Sequence, residues 1–237
     1  NVVLHNLTYS EILDSIQLSI QNQNQLAICY VNVNSINLSV KSDKIRNLFS
    51  EFNIVHADGF GVFLGTKILY GKGGLFYRLS GSDLYEMLIN ACEINNYKIF
   101  FFGDRTETLN QIKVKHPQLK VVGAQNGFEF DSTSVISCIN QNDTDLLIVG
   151  LGTPKQEEWI VQNKQELKVK VIISVGDGIK VFAGTKKRGP KFLQKIGLEW
   201  IVRLFFEPKR LWKRYFIGIP LFIFRVIKYR FMNLKAG

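Results

Sequence analysis

Cysteine is scarce in this chain of 237 residues: Cys29, Cys92 and Cys138 lie far apart, and none belongs to a CxxC or Cys/His ligand spacing. An odd count without such spacing argues against a disulfide framework and against a zinc site, and it fits a reducing cytoplasm. Histidine is equally sparse. His5, His56 and His116 show no ligand spacing, so they read as structural or exposed residues and no metal site is expected. The N-terminal stretch NVVLHNLTYSEIL lacks the basic and apolar regions of a secretory signal, and a chain that begins without Met leaves its true start open. Long apolar runs are missing too. YFIGIPLFIFRVI, near the C-terminus, is broken by Pro220 and charged at Arg225, well short of the ~20 apolar residues that a bilayer span needs. There is no internal repeat and no low-complexity linker.

What is present is a 46% hydrophobic chain, long enough for one large α/β domain or a domain with an appendage. Its net charge of +10 is unevenly spread. Residues 1–179 carry 15 Lys+Arg against 18 Asp+Glu, whereas residues 180–237 carry 15 against 2. A basic block of this kind meets phosphate on a nucleic acid, a membrane surface or a small ligand.

Thr8–Glu11 (TYSE) is a capping-box pattern ahead of a periodic apolar run, which predicts a first helix. LAICYVN (26–32) reads as a buried strand, Ser42 as the cap of a short helix, NIVHAD (53–58) as a second strand, and Gly59–Tyr70 and Ser82–Asn95 as helices. Beyond these, strands at 98–103, 119–124, 145–150 and 169–176 alternate with helices beginning near Thr106, Ser132 and Pro154. Near-continuous apolar strands separated by amphipathic helices imply a Rossmann-like parallel sheet with helices on both faces. After Gly184 the strands stop. Residues 1–184 therefore form the predicted α/β domain and residues 185–237 a basic helical appendage, with Pro190, Pro208 and Pro220 each suited to open a helix.

Four motifs carry candidate chemistry. In GLGTPKQEEW (150–159) a strand end, a glycine turn and a helix start point at the place where open α/β sheets bind ligands, yet the Lys-Ser of a P-loop and the third glycine of a dinucleotide fingerprint are missing. Thr153 as N-cap, Pro154 as first helical residue and Gln156 as capping-box partner explain the same residues structurally. HADGFG (56–61) sets Asp58 at a strand's C-terminal end, as a turn residue or as a general base. RLSGSDL (78–84) offers Arg78 as an anion clamp or as a solvated loop arginine. The DTD of 143–145 is similar to a metal-binding Asp-x-Asp, but it precedes its strand and so lies at the wrong end.

In the appendage, basic residues alternate with aromatic ones. Trp212, Lys213, Arg214, Phe222, Phe224, Arg225, Lys228 and Arg230 suit a helix lying among the headgroups of an anionic leaflet. The alternative is a helical cap whose aromatics pack on the sheet domain. Single-stranded nucleic acid would also suit such a composition, but no RRM, KH or helix-turn-helix pattern supports it, and no nucleic-acid partner is expected.

The order ADG, RLSGSDL, GLGTPKQEEW and SVGDGIKVFAGTKKRGPKFLQKIGLEWIVRLFFEPKRLWKRY closely resembles the TagA/WecG/CpsF glycosyltransferases, glycosyltransferase family 26, from about Leu26 to about Phe222. NGFEF (126–130) and FFGDRTE (101–107) add to the likeness. The resemblance implies a bacterial inverting transferase that moves a sugar from a UDP-sugar to a polyprenyl-diphosphate-linked glycan, peripheral on the cytoplasmic face of the membrane, with no cofactor and no required metal. It implies Asp58 as catalytic base, and Asn34, Arg78, Gly150, Gly152 and Gln156 as substrate-binding positions. It further implies that Arg203 and Arg210 come from an appendage that both touches the membrane and completes the site over the diphosphate. The chain departs from the pattern in three places. Asn32-Val33-Asn34 replaces Thr-x-Asn, Gly176-Asp177-Gly178-Ile179-Lys180 replaces Gly-Ala-x-Phe-Asp, and Lys213 stands where arginine is common.

Two other classes stay open on the residues alone. A nicotinamide-dependent oxidoreductase needs GxGxxG after the first strand, where this chain has YVNVNSIN. A non-catalytic membrane- or nucleic-acid-binding module accounts for the basic end but leaves Asp58, Arg78 and Gln156 without a role. The transferred sugar, the acceptor glycan and whether the chain forms a homo-oligomer are left open.

Overall fold

The structure, a computed structural model, describes residues 2–195 and 197–236. Six strands form one all-parallel sheet: β1 (Leu26–Val31), β2 (Ile54–Ala57), β3 (Ile99–Gly103), β4 (Val121–Gln125), β5 (Leu146–Gly150) and β6 (Val171–Ser174), in the order β2-β1-β6-β5-β3-β4. Before and between the strands run α1 (Tyr9–Gln21), α2 (Val33–Lys41), α3 (Asp43–Ser50), α4 (Phe60–Tyr70), α5 (Gly81–Asn95), α6 (Thr106–Lys115), α7 (Ser132–Gln141) and α8 (Lys155–Asn163). The short α9 (Ile179–Phe182) follows β6, and the tail continues through α10 (Lys191–Lys195), α11 (Glu199–Phe206), α12 (Pro208–Trp212) and α13 (Gly218–Ala236).

Alternation along each strand builds two cores. Ile99 and Phe101 of β3 face one layer with Ile12 and Ile16 of α1, Leu88 of α5, Ile112 of α6 and Phe182 of α9. Phe100 and Phe102 face the other, with Phe49 of α3, Ile139 of α7 and Trp159 and Ile160 of α8. Side chains on a strand alternate faces, so strands covered on both sides must be apolar throughout, which is why LLIVG and IFFFG read as unbroken runs.

The expected capping box forms: Thr8 accepts from the Glu11 amide, and the Glu11 carboxylate accepts from Thr8 N. Ser42 caps α3 as expected. Helix α2 was not expected, because Asn34, Ser35, Asn37 and Ser39 are weak helix formers. The Asn32 side chain starts it by accepting from the amides of Asn34 and Ser35, at 3.0 and 3.2 Å.

The path of the chain positions the site. From β1 it steps outward to β2, crosses over to β3, steps out to β4 at the far edge, and returns through β5 and β6 to lie beside β1. Connections leaving β1 and β6 therefore diverge, opening a crevice beyond their C-terminal ends. The tail folds back over this rim. Arg188 pins its start to α5 through Asp83 and Glu86, and Asn37 of α2 donates to the Gly218 carbonyl at 2.7 Å. Phe222 and Val226 of α13 close on α4 at Gly65, where a Cβ would come within 2.7 Å of the Phe222 ring. Only glycine permits this approach. A π-type turn over Lys213–Ile217 joins α12 to α13. Among the described residues, no helix is long and apolar enough to cross a membrane.

Candidate active site

Asp58 stands one residue past β2, its backbone N–H donating to the Val31 carbonyl at 2.8 Å. Its Oδ1 accepts from the Gly81 amide, also at 2.8 Å, at the first turn of α5. The side chain lines a cavity of about 370 Å³ shared with Arg78, Tyr85, Lys186, Arg203 and Arg214. Behind it, burial holds the His56 ring below the ordinary histidine range, against the pull of Asp58. Burial also raises the phenols of Tyr30 and Tyr85, so both present neutral hydroxyls.

A second cavity, of about 600 Å³, opens at the C-terminal ends of β1, β5 and β6 and is lined by Asn34, Lys41, Gly152, Thr153, Arg210 and Lys213, among others. The two cavities share Tyr30, Asn32, Asp177, Arg203 and Arg214 as common walls. Asp58 and the guanidinium groups of Arg203 and Arg214 thus converge on one crevice, with Arg210 across the shared wall.

Asp177 sits in that wall. Arg203 Nη2 lies 2.9 Å from one carboxylate oxygen, and Lys180 Nζ and Arg210 Nη1 lie 3.1 and 3.6 Å from the other. Burial works to raise its carboxyl, but Lys186, Arg203, Lys180 and Arg210 together hold it below the usual carboxylate range. The departures at 177 and 180 therefore form one ion pair, three residues apart. Burial, with Arg203 nearby, lowers the Lys186 ammonium, while Asp177 and Asp58 work the other way.

The glycine turn of GLGTPKQ differs from its expected capping. Pro154, not Thr153, is the N-cap of α8, and no side chain caps that helix end. Thr153 instead donates to Glu157 at 3.3 Å. Gln156 is fully buried and lines neither cavity. Its Oε1 accepts from the amides of Gly152, at 3.2 Å, and Gly176, at 2.9 Å, tying together the turns that follow β5 and β6. Its Nε2 donates to Glu157 at 2.7 Å. Gln156 therefore fixes two turns at this rim of the sheet without itself lining the crevice. Gly176 has φ +52°, and a Cβ there would lie 2.5 Å from the Tyr30 hydroxyl, so the turn needs glycine. Gly150 likewise lies under this turn and lines neither cavity. Burial pushes the Glu157 carboxyl up to about 7, despite hydrogen bonds from Gln156, from its own backbone amide and from Thr153.

Other expectations resolve individually. Asn34 lines the second cavity and Arg78 the first. Asn32 lines both, with its amide oxygen engaged in capping α2. Asp143 and Asp145 lie at the opposite rim, paired with Lys98 and Lys170. Asn126 of NGFEF folds its own turn, accepting from the amides of Phe128 and Glu129. Of the residues assigned to a membrane, Trp212, Lys213, Phe224, Lys228 and Arg230 are exposed, Arg230 also donating to the Ile68 carbonyl. Phe222 is buried against α4, Arg225 turns back to donate to Asn37 Oδ1 at 2.7 Å, and Arg214 faces both cavities. Helical periodicity explains two of them, since 222 and 225 share with 226 the face of α13 that meets α2 and α4, whereas Arg214 lies in the π-type turn before that helix.

Lys186, Tyr30 and Tyr85 were missed. Lys186 is one of two adjacent lysines in a basic run, and the tyrosines lie in a strand and a helix that read as plain core. A signal existed for Asp177, as a departure from the family pattern, but its partners come from tail residues that the sequence does not bring near.

Proteins of Staphylococcus aureus strains MRSA252 and NCTC 8325 / PS 47, both named N-acetylglucosaminyldiphosphoundecaprenol N-acetyl-beta-D-mannosaminyltransferase, are 28% identical to this chain over 237 residues, covering 98% of it and 92% of each relative. The glycosyl transferase WecG/TagA/CpsF family matches residues 1–236, and the chain belongs to that family.

Proposed function

We propose that this glycosyltransferase moves an N-acetylmannosamine-type sugar from a UDP donor, with inversion, onto a sugar carried by a polyprenyl diphosphate at the cytoplasmic face of a membrane. The observation that carries the reading is the crevice in which Asp58 faces one cavity and a cationic second cavity adjoins it across Arg203 and Arg214. The donor occupies the second cavity, its diphosphate among Arg203, Arg210, Lys213 and Arg214, while the acceptor sugar enters beside Asp58. The acceptor hydroxyl oxygen bonds to the anomeric carbon as the bond to UDP breaks. Asp58 takes the hydroxyl proton, and the departing diphosphate keeps the electron pair. Fixed cations aimed at that leaving group act where charge develops. No cofactor or metal takes part in this scheme.

The names of the relatives support the sugar, the lipid-linked acceptor and the beta linkage. Membrane association is supported by the exposed aromatics Phe205, Phe206, Phe216 and Phe224 beside the exposed cations Lys209, Lys213 and Lys228. The test is incubation with a panel of UDP-sugars and an N-acetylglucosaminyl-diphosphate lipid, reading product mass and anomeric configuration. A single β-linked sugar added with release of UDP is the expected result. Retained configuration, or no product from any UDP-sugar, would overturn the reading.

A further inference from the structure

The cavity that holds Asp58 does not end at the catalytic groups. From the carboxylate it continues between α4 and α13, where its lining becomes apolar: Phe60, Leu64 and Ile68 on one side and Phe222, Ile223 and Val226 on the other. Phe60, Leu64 and Ile68 are spaced four apart and so share one stripe of α4, while 222, 223 and 226 form the facing stripe of α13. At about 1.5 Å per residue, the α4 stripe runs roughly 12 Å along the helix. Helix α4 (FGVFLGTKILY) is apolar beyond the face that meets the sheet domain through Val62, and Phe60 and Leu64 are each 40% exposed. Helix α13 covers part of this apolar surface, Phe222 and Val226 closing on it at Gly65, while Phe60 and Leu64 stay open toward the cavity.

The head of this groove is ionic and its far end is hydrocarbon-lined. Arg78, Lys186, Arg203 and Arg214, with Asp177 and Glu199, line the same cavity as Asp58, whereas the lining side chains Ile68, Phe222, Ile223 and Val226 carry no charge, and Arg230 meets α4 through the Ile68 and Leu69 carbonyls. That polarity matches a long-chain prenyl diphosphate, with phosphates at the cations and isoprene units running outward. A nucleotide-sugar has no apolar part to fill the outer half, and a sheet of bilayer lipid would not need a carboxylate at the inner end. We infer that the α4–α13 groove binds the first isoprene units of the acceptor lipid, which makes α13 a wall of the acceptor site. This inference rests on the transferase reading above.

The probe is farnesyl diphosphate carrying a benzophenone at its distal end, photolysed with the full chain and mapped by peptide mass. Labelling should fall within residues 60–70 and 219–227 and be displaced by geranylgeranyl diphosphate. Leu64→Glu and Ile223→Glu should each cut it at least tenfold, and Ile94→Glu, on an exposed turn of α5, should retain it within twofold. Ile68→Trp fills the groove without adding charge and should give the same loss with an unchanged melting temperature, which separates blocking from unfolding. Labelling concentrated on Phe205, Phe206 or Phe216, or undiminished by all three groove variants, would overturn the inference. Displacement by phosphatidylglycerol vesicles as effective as by the prenyl diphosphate would also overturn it, making the groove a membrane anchor. Sugar transfer measured in the same preparation keeps the two readings apart. Transfer without groove labelling removes the groove alone, whereas groove labelling without transfer supports the lipid site and removes the transferase reading.

Discussion

Gln156 in the sheet domain and Arg203 in the tail stand close to the same crevice, but their polar atoms point to different ends. The Gln156 carboxamide is fully buried and committed to the backbone of Gly152 and Gly176 and to Glu157. The Arg203 guanidinium reaches both cavities and pairs with the Asp177 carboxylate in the wall between them. The sheet domain supplies shape and two carboxylates, Asp58 and Asp177. Most of the positive charge around the crevice comes from the segment after β6. A motif residue inside the domain can therefore matter for where it puts a turn, while a tail residue matters for the charge it brings.

The sharpest way to break this division is to remove the tail. Truncation from Leu198 onward deletes Arg203, Arg210, Arg214 and the α13 wall, and transfer to a lipid-linked acceptor should become undetectable while the sheet domain stays folded by circular dichroism. Full turnover by the truncated chain would refute the division. Arg203→Ala alone should lower kcat on the order of 10²-fold, as for loss of one preorganised group that stabilises developing charge. Its melting temperature should change little, because Lys180 and Arg210 still pair with the Asp177 carboxylate when the guanidinium is removed.

Gln156→Ala should show the opposite balance. It leaves the buried Gly176 amide and the half-buried Gly152 amide without their acceptor, at roughly 1–3 kcal/mol for a buried unsatisfied group, so a clear drop in melting temperature should accompany the loss of activity. A variant with unchanged stability and lost activity would make Gln156 a ligand contact after all. The smallest effect concerns Glu157, whose carboxyl is pushed up to about 7 in the folded chain. The native form keeps a proton that the unfolded chain gives up nearer the ordinary glutamate value of about 4.3. Its contribution to stability is thus full below that value and is lost as pH rises through about 7. Melting temperatures of the wild type should fall between pH 5 and pH 8 by a few degrees more than those of Glu157→Gln. Parallel curves would show that the carboxyl does not titrate in this range.

The sheet was legible because its strands must be apolar on both faces, which leaves unbroken runs such as IFFFG recurring between amphipathic helices. Asp58 was legible by its place after such a run and by its resemblance to a known motif. Helix α2 was not, since its buried Ser35, Asn37 and Ser39 are explained by close packing that local propensity does not encode. The capping of α8 was misread because TPKQ satisfies a capping rule that a tertiary contact overrides: Gln156 finds the turn after β6, twenty residues on, a better use for its amide. The inward turn of Phe222, Arg214 and Arg225 was hidden for a similar reason. A basic and aromatic helix has the same composition whether it rests on lipid or on another helix, and only the packing of the tail on α2 and α4 separates its two faces.

The central claim is that Asp58 is the base of a crevice whose donor cavity lies apart from it. Asp58→Asn keeps the shape and the contact with Gly81 but cannot take a proton, so single-turnover transfer should fall by roughly 10²–10⁴-fold, while calorimetry finds UDP affinity within threefold of the wild type. Transfer at the wild-type rate by the asparagine variant would contradict the account.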